Sequence, residues 1–148
     1  MEKQNFYDLN FEQLKLFLVE NTQVDPKKAK MRSQQLFNAV YKKNIKNFDE
    51  LTTFGLELRN KIKDSISLDK PKIIDVQKSK DGTIKFLLEL KDKRNVETVL
   101  IPDKTQSRYT ICLSVSVGCY LSCEFCATAQ ISKKLVRNLS PSEIISQI

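Results

Sequence analysis

Three of the chain's four cysteines crowd into one short run, Gly118-Cys119-Tyr120-Leu121-Ser122-Cys123-Glu124-Phe125-Cys126, at the spacing C-x3-C-x2-C. Three closely spaced thiolates suit an iron–sulfur cube in which one iron has no protein ligand. An open metal position is where chemistry can occur, as it is at catalytic zinc sites. Whatever the chain folds into must therefore present this run as a loop that offers three sulfurs. The plainer uses of such a run are a structural zinc site or a chance cluster.

The remaining composition narrows the choice. All four cysteines, including Cys112, lie within fifteen residues, whereas a disulfide framework scatters them through a small secreted domain. There is no histidine, which removes every Cys/His zinc pattern and every histidine base. The start of the chain, Met1-Glu2-Lys3-Gln4-Asn5, leads into no apolar signal region. No stretch approaches the ~18 apolar residues of a membrane span. These features predict a reduced, cytoplasmic protein without a membrane partner. Length is a further bound: a closed (β/α)8 barrel takes about 250 residues, and this chain has 148, with the cysteine run 22 residues from its end. The chain therefore reads as a truncated product or a fragment. Only three glycines occur, none after Gly118, although close backbone approach to a bound ligand usually needs them.

Charge points to a polyanion. The net charge is +7, and the stretch Lys27 to Lys46 holds Lys27, Lys28, Lys30, Arg32, Lys42, Lys43 and Lys46 with no acidic residue. Such a stripe is the footprint of a phosphate-backbone contact. Its bland counterpart is a solvated lysine-rich helix.

The hydrophobic pattern changes period near residue 70. Residues 1–70 read as a helical, basic accessory domain suited to docking a polyanion. Asn10 with Gln13 forms a capping box, and Leu9 and Leu14 occupy staple positions. Leu14, Phe17 and Leu18 then share one face. Asp25-Pro26 opens a second helix carrying Met31, Leu36, Phe37, Val40 and Tyr41. Asn47 and Glu50 cap a third, broken near Gly55 and running through Leu58 and Ile62. These apolar stripes are read as core. Residues 71–104 form a strand region: Lys72 to Val76 and Thr83 to Leu88 flank the hairpin signal Asp81-Gly82, and Val96 to Ile101 is ended by Pro102. Residues 105–148 begin another domain, with a strand from Thr110 to Val117 feeding the cysteine loop. There Ser140-Pro141-Ser142-Glu143 opens a helix.

Several ordered segments together resemble one enzyme family, the bacterial radical S-adenosylmethionine (SAM) adenine-C2 methyltransferases that act on 23S rRNA and tRNA. They are Lys30-Met31-Arg32, Phe48-Asp49-Glu50-Leu51-Thr52, Asp81-Gly82-Thr83, Val96-Glu97-Thr98-Val99-Leu100-Ile101-Pro102, Cys112 seven residues before Cys119, Cys126-Ala127-Thr128, and Arg137-Asn138-Leu139 before Glu143-Ile144-Ile145. The C-x3-C-x2-C run is the signature of radical SAM enzymes at large. The resemblance implies an α+β chain: a helical module, a hairpin and strand region, then the first βα unit of a truncated radical-SAM partial barrel.

The resemblance also implies roles. Cys119, Cys123 and Cys126 would ligate a [4Fe–4S] cluster, and Phe125 would lie beside the SAM adenine, where ordinary loop packing is the alternative. Glu97 would be the proton acceptor. From local sequence alone it reads as a solvent-facing strand residue, although burial in a barrel mouth would raise its basicity. Cys112 would be the resolving thiol, forming a transient disulfide that releases the RNA. Without the family it reads as a buried thiol. The implied mechanism uses two SAM molecules, a methyl-carrying cysteine placed far beyond residue 148, and an electron donor such as flavodoxin or ferredoxin. The resemblance also implies a monomer. An unstacked base suits such a pocket, which favours RNA loops over duplex. Ser114-Val115-Ser116 stands where the family usually has Ser-Ser-Gln, and the loop between Cys126 and Arg137 is about two residues longer and lacks glycine. The main alternative from a different class is a small basic RNA-binding module with a zinc site built from Cys112, Cys119, Cys123 and Cys126.

Overall fold

Short polar side chains decide where the helices begin. The computed structural model describes residues 3–103, 105, 107–121, 123–126 and 135–148. In it, the Gln13 N–H donates to Asn10 Oδ1 and the Asn10 N–H donates to Gln13 Oε1, each at 2.9 Å, opening helix α1 (Phe11–Thr22) with the predicted reciprocal box. Asp25 caps α2 (Pro26–Phe37) by accepting from the Lys27 N–H at 2.9 Å, with Pro26 at the first position. Ser140 and Glu143 form the same kind of box at α4 (Pro141–Ile145).

Two compact units are present, Met1–Asp69 and Lys70–Ile148. In the first, strand β1 (Gln4–Asn5) pairs in parallel with β2 (Ile66–Ser67), so the two ends of the unit meet. Phe6, Leu14, Leu18, Leu36 and Ile62 are fully buried. The second helix is shorter than its pattern predicts. It ends at Phe37 and passes into a π turn, Asn38–Lys42. Its expected core stripe is only partly inside: Met31 is 49% and Tyr41 45% exposed. Ala29, Ser33 and Leu36 recur at i, i+4 and i+7 and take the inner face, which turns Met31 outward. The predicted third helix also divides. Asn47 and Glu50 cap only a 3-10 turn (Phe48–Glu50), and α3 (Leu56–Ser65) starts afresh from Gly55. Between them Leu51 and Phe54 are buried, so packing takes the chain out of helical register.

The second unit is built on an antiparallel meander, β3 (Lys72–Lys78), β4 (Ile84–Glu89), β5 (Asn95–Asp103) and β6 (Arg108–Cys112). The β3–β4 turn follows from Asp81-Gly82. Asp81 accepts from Ser79 Oγ, from the Thr83 N–H at 3.0 Å and from Thr83 Oγ1 at 3.1 Å. Those bonds hold its carboxyl down at about 2. Gly82 has φ +93°, the left-handed region, and a Cβ there would sit 3.2 Å from Pro102 Cγ. Pro102 does not end its strand as expected. It pairs with Tyr109 inside β5, beyond the last β4 partner at Leu100, where that neighbour requires no N–H.

The strand predicted from Thr110 to Val117 is two pieces. β6 stops at Cys112, and β7 (Ser116–Val117) pairs instead with β8 (Arg137–Asn138). The break has a cause: Gln147 takes the backbone of Ser114, donating Nε2–H to its carbonyl at 2.9 Å and accepting from its N–H at 3.0 Å. Leu88, Leu90, Val96 and Leu139 form the core here, with Phe86, Val117 and Ile144 against it. Among the described residues, no helix is long and apolar enough to cross a membrane.

Candidate functional site

The cysteine loop leaves the fold where β7 ends. The β7–β8 ladder, extended by Val136 N–H to Val117 O and Leu139 N–H to Val115 O, each at 2.9 Å, closes the loop at its base. Gly118, at φ +76°, starts the loop in a conformation that other residues rarely adopt. Cys119, Cys123 and Cys126 are each half-buried and none is in a disulfide. The Leu121 N–H donates to Cys119 Sγ at 3.3 Å, and the Cys126 N–H closes a tight turn on Cys123 O at 3.0 Å. Among the described residues, no three His, Cys, Asp or Glu side chains gather around a single ion. The donor set itself, three thiols on one loop with a backbone N–H aimed at sulfur, is of the kind that holds iron–sulfur groups and tunes them. Phe125 is 91% exposed, so the described part of the loop packs little against its side chain. Residues 127–134, which include Ala127, Thr128 and most of the longer post-cysteine segment, lie outside the described residues.

Glu97 and Cys112 come together through strand register. Val96 and Thr98 face the core, which puts Glu97 and Val99 on the other face of β5. Cys112 pairs with Val99, so it shares that face with Glu97 as its diagonal neighbour, about 7–8 Å away by sheet geometry. Cys112 is exposed, not buried as its type predicts, because β6 is an edge strand. Glu97 is exposed as well, and its side chain meets a partner the sequence reading missed: Lys85 Nζ lies 3.0 Å from its carboxylate. Lys85 also pairs with Val99 across β4 and β5, which aligns Lys85, Val99 and Cys112 in one row. The hairpin register was the available signal, since it sets which side chains share a row.

Gln147 and Arg137 fasten the loop's flanks. Besides Ser114, Gln147 Oε1 accepts from Thr98 Oγ1 at 2.7 Å, and Ser114 Oγ donates to Glu97 O at 2.7 Å. The segment Ser114-Val115-Ser116 is thereby accommodated: Val115 is exposed and Ser116 Oγ donates to Gly118 O at 3.1 Å. Arg137 donates a fork to Glu143 at 2.7 and 2.8 Å and a third bond to Asp92 at 2.9 Å. These bonds hold both carboxyls below their usual range. The sign of the pH effect follows. Glu143 contributes stability above its ordinary value of 4.5 and loses that contribution as pH falls through its lowered folded value. Arg137→Met is expected to cost about 1–3 kcal/mol. Hydrogen exchange should show faster opening of residues 137–147 at pH 7 and a shallower acid transition than the wild type; unchanged exchange would refute the role.

The basic stripe lies in the first unit. Lys27, Lys28, Lys30, Lys42, Lys43 and Lys46 are exposed, and among the described residues none of them forms an ion pair. Arg32 differs: it donates to Gln35 Oε1 at 3.0 Å and stacks over Phe54 at 5.1 Å, so part of its role is structural.

The ribosomal RNA large subunit methyltransferase N-terminal domain family matches residues 4–68. The chain is 41% identical over 130 residues to the dual-specificity RNA methyltransferase RlmN of Campylobacter fetus subsp. fetus, covering 80% of this chain and 36% of that protein. It is 40% identical over 141 residues to the RlmN of Oleidesulfovibrio alaskensis, covering 95% and 37%. With the RlmN of Nitratiruptor sp. it shares 37% identity over 155 residues, covering 97% and 41%. The chain thus spans about two fifths of the length of these relatives. The crystal structure of a radical SAM methyltransferase from Sphaerobacter thermophilus matches 97% of this chain and 40% of that one, with a TM-score of 0.80 and 30% identity. A match to the N-terminal domain family over the first unit, continued through the cysteine loop by relatives that share one name, leads to one conclusion: the chain belongs to the dual-specificity RNA methyltransferase RlmN family and corresponds to the N-terminal part of its members.

Proposed function

We propose that this chain carries the RNA-docking module and the cluster loop of a radical SAM enzyme that methylates C2 of adenine in 23S rRNA and tRNA. The observation that carries the reading is the single loop of three cysteines at the foot of β7, in a chain that matches a radical SAM methyltransferase structure over 97% of its length. Residues 1–70 are read as the RNA-docking domain, 71–104 as the connecting strand region, and 105–148 as the start of the radical SAM partial barrel. Cys119, Cys123 and Cys126 would hold a [4Fe–4S] cluster, which when bound supplies the electron that activates SAM. Phe125 offers an exposed ring to the SAM adenine.

The chain's own polar groups would manage the proton and the release. Glu97, steered by Lys85, receives the C2 proton. Cys112, on the same face, would supply the thiolate that attacks the sulfur of the family's methyl-carrying cysteine; the disulfide forms as the sulfur–carbon bond to the modified base breaks, the carbon keeping the electron pair and taking up a proton as the product leaves. A flavodoxin or ferredoxin would be the reductant in the cytoplasm, and the enzyme would act as a monomer.

The basic stripe would hold phosphates without regard to sequence. Replacing Lys42, Lys43 and Lys46 together by Gln should flatten the salt dependence of RNA binding by up to about three units of slope. An unchanged slope in a filter-binding titration would reduce the stripe to a solvated face.

The test of the whole reading is anaerobic reconstitution with iron and sulfide. The expected product is brown, with about four irons per chain. A colourless protein holding one tight zinc would overturn it in favour of an RNA-binding module with a structural metal.

A further inference from the structure

We propose that Tyr41 is a stacking platform for one unpaired RNA base, so that the first unit reads single-stranded nucleotides as well as phosphate charge. The proposal rests on the RNA-docking reading and deepens it.

The ring is built as a platform. It is 45% exposed although three aromatic rings lie against it, Phe37 at 5.3 Å, Phe6 at 5.7 Å and Tyr7 at 5.9 Å between centroids. Phe6 is 0% and Tyr7 8% exposed, so the support is fixed core. A ring held against fixed core yet nearly half exposed loses little freedom when a base stacks on it. It sits in the π turn Asn38–Lys42, a local irregularity that in helices often marks a functional position.

Charge complementarity names the occupant. Lys42 and Lys43 follow the ring directly and are exposed, with no ion pair among the described residues, and no acidic residue occurs between Lys27 and Lys46. Adjacent aromatic and unpaired basic groups are what single-stranded nucleic acid requires, the ring for the base and the ammonium groups for the flanking phosphates. The contrast with Tyr109 is informative. That ring is 63% exposed, but its neighbour Arg108 is committed to Asp103 at 3.0 Å.

The experiment uses the 148-residue chain, a labelled RNA hairpin with an unpaired loop, and a blunt duplex of the same stem sequence. Tyr41→Leu keeps an apolar side chain over Phe6 and Phe37 but has no π face. It should weaken hairpin binding by roughly tenfold, with the salt slope and duplex binding unchanged, while Tyr41→Phe binds like the wild type. The chain has no tryptophan, so Tyr41→Trp supplies a unique reporter. Its fluorescence should be quenched by the hairpin and not by the duplex. Equal hairpin affinity for Tyr41→Leu, equal loss on both RNAs, or no selective quenching would each overturn the proposal. If the wild type binds both RNAs, those outcomes leave RNA docking standing. If it binds neither RNA even at low salt, the docking reading fails and this proposal with it.

Discussion

Serine at Cys119, Cys123 or Cys126 is expected to abolish cluster assembly, whereas serine at Cys112 is expected to leave it intact. The three sulfurs share one loop closed by the β7–β8 ladder, and removing one leaves two thiolates where a cube needs three. Cys112 belongs to edge strand β6, paired with Val99 and sharing a face with Glu97. Iron analysis after reconstitution should therefore fall from about four per chain to a small residue in the three loop variants, and remain near four in Cys112→Ser. A four-cysteine zinc site predicts something else, equal loss of metal in all four variants. The comparison thus separates the two readings by pattern as well as by metal.

The second large effect is an absence of product. The 148-residue polypeptide, reconstituted, reduced and given SAM and RNA, is expected to place no methyl group on adenine. The reason is exposure: Phe125 is 91%, Tyr120 79% and Leu121 68% exposed, so the cysteine loop of this polypeptide is open to water. Carbon-radical chemistry needs a closed site that excludes solvent and side reactions. Some SAM cleavage uncoupled from methyl transfer is compatible with such an open loop. Mass spectrometry of digested RNA is the check, and 2-methyladenine made by the purified polypeptide would contradict the argument.

Much of this architecture can be read from local chemistry. The capping boxes at Asn10 and Ser140, the Asp25-Pro26 start and the Asp81-Gly82 turn each act over three or four residues, and all stand as predicted. The failures involve distant partners. Thr110 to Val117 alternates as a single strand would, yet Gln147, 33 residues on, takes the Ser114 backbone and splits it. The third helix fails at Leu51 and Phe54 because burial outweighs the helical pattern there. Met31 and Tyr41 look like core by type, but the inner face of α2 belongs to Ala29, Ser33 and Leu36, and that of the π turn to Ala39 and Val40.

The candidate site divides in the same way. The cysteine spacing is local, so the loop is visible in the sequence. The shared face of Glu97 and Cys112 is set by register between β5 and β6, and the Lys85 ion pair by register between β4 and β5. No window of a few residues contains that information. Arg137 joining Asp92 to Glu143 is of the same kind, with its two carboxylates 51 residues apart in sequence.

In the proposed function the loop holds an iron–sulfur cluster with one iron open to SAM. The most direct measurement is electron paramagnetic resonance of the reconstituted, dithionite-reduced chain, recorded with and without excess SAM. A reduced [4Fe–4S] signal is expected whose shape changes when SAM is added, because SAM would reach the iron that no cysteine occupies. A signal that SAM leaves untouched, or a chain that takes up zinc and gives no signal, would contradict it.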